Sequence, residues 1–202
     1  MNKSQEVRRI KKLIAVSSGW PVAKAFEAYV MSDCDKSIIA SKAVDVLRIF
    51  PTIPGACALM SAIFAACLER TLKAPILVVA GTLTIKNQPV FGNGKPFDGD
   101  AVFSKDNLDW DGHVWVMIGQ YIADISIFRT ANTTKSPPLL ANHINSTFGS
   151  VRGLYLDRWT HTRRSDIGYH PQYVLTYDQV TSLMKGAEQV IKNQGDTSMF
   201  GN

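Results

Sequence analysis

The chain has 202 residues, 46% of them hydrophobic and 19% charged, a balance that excludes a disordered or fibrous protein and suits one globular domain. Lys and Arg outnumber Asp and Glu by 22 to 17, and the resulting +5 is too mild to mark a nucleic-acid binder by itself. The three cysteines, Cys34, Cys57 and Cys67, are widely spaced and odd in number, which argues against a disulfide framework and against a cysteine-based zinc site.

The N-terminus is basic but has only a short apolar stretch before Ser17, unlike a signal peptide. No run approaches the roughly 20 apolar residues of a membrane span, so a cytoplasmic protein without membrane contact is expected. Helical spacing predicts a helix over 4–16, with Val7, Ile10, Leu13 and Ile14 on one face. A second is expected over 21–32, opened by Pro21, and a third capped by Ser37 with Ile39, Ala43, Val46, Leu47 and Phe50 as its apolar stripe. Pro51 and Pro54 end this helical N-terminal part, residues 1–50.

From Ala56 to about Leu72 the sequence is apolar nearly all round, the pattern of a buried helix. Cys57 stands at its start, just behind Pro54 and Gly55, and Cys67 lies deeper in the same helix as core. "PILVVAGTLTI" reads as a core strand. Residues 86–111, rich in Gly, Asn, Asp and Pro, read as a long loop. "GHVWVMIGQYIADISIF" is two apolar runs around Gly119-Gln120, a hairpin.

Beyond it the pattern predicts a loop over 129–150 and strands over 151–157 and 172–175. A C-terminal helix follows, opened by a Thr176/Gln179 capping box, and the polar tail over 194–202 is expected to fray. Two basic clusters, Arg8, Arg9, Lys11 and Lys12 near the start and Arg158, Arg163 and Arg164 later, lack the aromatic residues of a nucleic-acid motif. They read as a solvated helix face and a loop. The summed expectation is a single α+β domain with a mostly antiparallel sheet.

The hairpin supplies the first chemical constellation. With Gly119 and Gln120 as turn residues, paired positions place His113, Trp115, Asp124 and Ser126 on one side of the sheet, with His113 and Asp124 as diagonal neighbours. An Asp in the otherwise apolar "YIADISIF" needs a partner, since an unpaired buried charge is expensive. A carboxylate on an imidazole fixes its tautomer and stabilises the imidazolium. Cys57, at a helix N-terminus where backbone N–H groups favour a thiolate, is the matching nucleophile, although alone it reads more readily as a small buried residue.

"GACALMSAIFAACLERTLKAPILVVAG" followed by "GHVWVMIGQYIADIS" resembles the transglutaminase-like branch of the papain-like cysteine-proteinase superfamily, in the manner of its small bacterial members. The shared pattern is Gly55-x-Cys57 opening a central helix, a strand ending in Gly81, His113 opening a second strand and Asp124 on a third, over residues 53–128. The resemblance implies a papain-like fold, with the buried helix carrying Cys57 packed on an antiparallel sheet carrying His113 and Asp124. It implies a Cys-His-Asp triad working through a thioester and leaves the acyl donor open. The leading expectation is a peptide or other amide-containing small substrate and no cofactor, and His143, His161 and His170 are scattered without metal-ligand spacing.

The chain departs from the pattern in two places. No glutamine precedes Cys57, so the second oxyanion donor is not visible and Trp110 or Gln88 stand as candidates; Val114 follows His113 where Ala or Cys is common. Trp110 and Trp115, which flank His113, and Gln88 are the candidate substrate-binding residues, and Trp115, on the face of His113, reads equally as packing. Peptidase or amidase, and transglutaminase or deamidase, outcomes need the same triad. The alternative is a non-catalytic binding protein that keeps the scaffold.

Overall fold

The computed structural model describes residues 3–92, 97–104, 110–149 and 153–199. Three helices open the chain: α1 (Lys3–Ser18), α2 (Trp20–Ala28) and α3 (Asp33–Ile49). The cap of α3 is Ser32 rather than Ser37. Ser32 and Asp35 form a reciprocal capping box, and Ser37 lies inside the helix with its hydroxyl on the Asp33 carbonyl. Asp at the third helical position closes the box as Glu would, so the helix starts a turn earlier than its apolar stripe indicates.

The apolar segment forms α4 (Cys57–Glu69), reached through Gly55 at φ +75°, a conformation glycine adopts without strain. β1 (Ile76–Ile85) is the central strand and runs beyond Gly81, which sits mid-strand. The stretch expected as one long loop contains β2 (Gln88–Phe91) and a short helix α5 (Gly99–Phe103); its residues 93–96 and 105–109 lie outside the described residues. β3 (His113–Ile118) and β4 (Tyr121–Asp124) form the hairpin, turning at Gly119 and Gln120 with Ile118 opposite Tyr121.

The next stretch is helical, not a loop: α6 (Ile127–Ala131) and α7 (Pro138–Phe148). Its Thr, Asn and Ser residues occupy the exposed and connecting positions, while Ile127, Phe128, Leu140 and Ile144 are buried. β5 (Tyr155–Arg158), a 3-10 helix (Trp159–Ser165), β6 (Ile167–Val174) and α8 (Tyr177–Met199) complete the chain. Residues 151–152 of the expected strand and 200–202 of the tail lie outside the described residues. The Thr176/Gln179 box caps α8, which continues past Asn193.

All strand pairings are antiparallel. One edge of β1 takes β3 along 76–81 and β2 along 83–85, the other edge takes β6, and β4 and β5 extend the sheet beyond β3. The sheet curls, so that Tyr155 of β5 stacks on Tyr169 of β6 at 6.0 Å. One core lies between α3, α4, α8 and the face bearing Val78, Val114 and Val116. The other lies between α1, α2, α7 and the face bearing Val79, Trp115 and Met117. The result is an α+β architecture, and among the described residues no helix is long and apolar enough to cross a membrane.

Candidate active site

His113 is the first residue of β3 and Cys57 the first of α4. Alternation along β3 turns His113 toward the layer of Trp115, whereas α4 packs on the opposite face; the two side chains meet because each stands at the end of its element. Both line one cleft of about 340 Å³, walled by Phe91, Phe103 and Trp110 on its apolar side and by Thr130, Thr133 and Lys135 on its polar side. A buried hydrogen bond from Ser61, one turn into α4, to the Val114 carbonyl fixes the helix against the strand at 3.0 Å.

The hairpin register puts Asp124 diagonally behind His113, and His113 Nε2 lies 2.7 Å from Asp124 Oδ2. Both residues are 1% exposed. Asp124 is held by four further donors. Oδ1 accepts from Ser126 N at 2.8 Å, Ser126 Oγ at 2.8 Å and Ile127 N at 3.0 Å, and Oδ2 accepts from Tyr169 Oη at 2.9 Å. The carboxylate thereby also caps the start of α6, which makes its ionised form cheap to bury.

Burial alone would push the His113 pKa down, but the charge and hydrogen bond of Asp124, aided by Cys57, raise it to about 10. Burial likewise opposes the ionised form of Asp124, and His113 with Ser126 holds its pKa below the ordinary carboxylate value. The pair is therefore an imidazolium and a carboxylate at neutral pH. Phe91 and Trp115 lie nearly parallel to the imidazole, at 5.6 Å and 6.1 Å between centroids, and their faces favour the cation.

Nε2 faces Asp124, which leaves Nδ1 as the ring nitrogen available to Cys57. The first turn of α4 has no side-chain cap, so its leading N–H groups remain available to negative charge near Cys57. Cys67, farther along α4, has its thiol pushed up by burial and does not reach the cleft lining.

Three expectations for the surroundings need correction or completion. Trp110 lines the cleft, held against Gly112, where a Cβ would lie 1.9 Å from the indole. Trp115 does not line it: fully buried, it backs His113 as packing. Gln88 is exposed on the edge strand β2 and is not among the described lining residues. Tyr169 and Ser61 escaped the sequence reading, since both act through contacts made only once β6 and α4 dock on the sheet. Among the described residues, no three His, Cys, Asp or Glu side chains are grouped to hold a metal ion. Compared with family models, curated proteins and solved structures, the chain matches none.

Proposed function

We propose that this protein is a cysteine-dependent acyl-transfer enzyme of the transglutaminase-like, papain-like type, acting on a peptide-like or other amide substrate. The observation that carries this reading is the shared cleft of Cys57 and His113, with Asp124 hydrogen-bonded behind the imidazole at 2.7 Å. The Cys57 thiolate adds to the substrate carbonyl, and the resulting oxyanion lies by the uncapped N–H groups of α4. His113 gives its Nδ1 proton to the departing amine as the C–N bond breaks, leaving a thioester. Water then attacks with His113 as base, releasing acid and thiol; an amine in place of water gives a new amide. Asp124 keeps the imidazole oriented throughout.

Treatment with p-nitrophenyl acetate followed by peptide mass mapping tests the reading, with exposed Cys34 as the internal reference thiol. Acetylation should fall on Cys57 in preference to Cys34, and the preference should vanish in His113→Ala. A folded protein that acetylates Cys34 while leaving Cys57 free supports the non-catalytic alternative and rejects the enzyme.

A further inference from the structure

The two basic clusters, far apart in sequence, each bring one arginine, Arg9 and Arg163, beside His170. Arg163 of the 3-10 helix forms an ion pair with Glu6 of α1, which brings Arg9 and Arg163 to the same end of β6. The β1–β2 turn adds Lys86. Between Lys86 and Arg163 lies a cavity of about 300 Å³, bounded by Gly168 and His170 of β6. It is separate from the cleft of Cys57.

The geometry of the cavity depends on a glycine. His170 Nε2 lies 3.1 Å from Thr84 Oγ1 of β1, and Gly168 pairs with Thr84 in the sheet. A Cβ at Gly168 would come within 2.2 Å of Thr84 Oγ1 and 2.8 Å of His170 Nε2, so any side chain there would displace the imidazole.

The charges around the cavity are unbalanced. Glu6 is engaged by Arg163, and Asp166 is the one acid among the described lining residues. Lys86 has no ion-pair partner among the described residues. Burial, then Arg163 and Arg9, hold the His170 pKa below its ordinary value against the pull of Glu6. The imidazole therefore sits in a positive potential.

We propose that this cavity is an anion site for a small phosphate-bearing molecule, with Lys86 and Arg163 as its cationic walls and His170 as a further hydrogen-bond donor. The cations face a half-open cavity at the small end of ligand pockets rather than a continuous stripe, which suits a compact phosphate and not a polymer. His170 gains a proton when the anion supplies the missing negative charge. By linkage, the anion then binds more tightly as pH falls through the His170 titration.

The test follows the His170 ring resonance by NMR while inorganic pyrophosphate is added to the full chain. Pyrophosphate should shift it saturably and raise the His170 pKa by about one, and by linkage its affinity should rise about tenfold as His170 protonates. Lys86→Met, a surface change, should weaken the response several-fold without altering the Cys57-to-Cys34 labelling ratio, which keeps this result separate from the acyl-transfer reading. Phosphatidylcholine vesicles carrying phosphatidic acid form the second arm. Cosedimentation competed by pyrophosphate assigns the phosphate to a lipid headgroup, and its absence assigns it to a soluble ligand. Failure of pyrophosphate to shift His170, or an equal response in Lys86→Met, overturns the site, as does oligonucleotide binding without a pyrophosphate response.

Discussion

Ser61 donates its hydroxyl to the carbonyl of Val114 across the interface between α4 and β3, at 3.0 Å and fully buried. Ser61 stands one helical turn after Cys57, and Val114 directly follows His113. This single bond therefore sets the register between the two ends that carry the candidate nucleophile and its base. Ser61→Ala should cost about 1 kcal/mol in urea unfolding, the ordinary worth of such a bond. Amide exchange in the first turn of α4 should accelerate more than in the remainder of the helix. Uniform acceleration along α4 would show that Ser61 supports the fold without fixing the Cys57 end.

Tyr169 donates to the same Asp124 oxygen that faces His113, at 2.9 Å. Tyr169→Phe removes one donor from a buried carboxylate without opening a cavity, since only the hydroxyl is lost. The expected destabilisation is about 2 kcal/mol, the range for a hydrogen bond to a charged group. With less stabilisation of its ionised form, Asp124 should protonate more readily and acid unfolding should move to higher pH. An acid transition at the wild-type pH would mean that His113, Ser126 and Ile127 hold the charge without Tyr169.

The buried pair has a pH signature with two limbs. The pKa of His113 is raised from 6.5 to about 10 on folding, so its contribution is complete below 6.5 and is lost as pH rises through about 10. The pKa of Asp124 is lowered from 3.8, so its contribution is complete above 3.8 and is lost as pH falls through the folded value. The stability difference between wild type and His113→Gln should therefore be largest between 3.8 and 6.5 and shrink toward alkaline pH. Urea titrations across that range check it. A difference that stays constant into alkaline pH would show that His113 is neutral in the folded protein.

The contact between His113 and Asp124 was legible because a two-residue turn at Gly119-Gln120 leaves only one register, and the register fixes which side chains share a face. Cys57 was legible from the Pro and Gly that break the chain before an all-apolar helix. Tyr169 was not: its approach depends on β6 pairing with β1, a contact between segments more than eighty residues apart with no local marker. The helices α6 and α7 were hidden for another reason. Their Thr, Asn and Ser residues look like loop, and the burial of Ile127, Phe128, Leu140 and Ile144 outweighs that propensity. Trp115 is open in the sequence between cleft wall and packing, since sharing a face with His113 does not decide whether a side chain reaches the cleft or backs it; its full burial decides for packing.

Arg129 supplies the last link between the site and its frame. From α6, whose start Asp124 caps, it donates to the carbonyl of Phe50 at 2.6 Å and to that of Leu47, both at the end of α3. The chain runs from there through Pro51 and Pro54 directly to Cys57. Arg129 thus ties the carboxylate end of the constellation to the approach of the candidate nucleophile. Arg129→Met keeps the aliphatic stem but leaves two carbonyls without this donor, for an expected loss of about 2 kcal/mol. The ring resonance of His113 should stay near its wild-type position, because its own hydrogen bond is untouched. The Cys57-to-Cys34 alkylation ratio should fall several-fold, and Arg129→Lys, which can still reach one carbonyl, should recover part of it. A lowered stability with an unchanged ratio would reduce Arg129 to a brace between α3 and α6 with no bearing on Cys57.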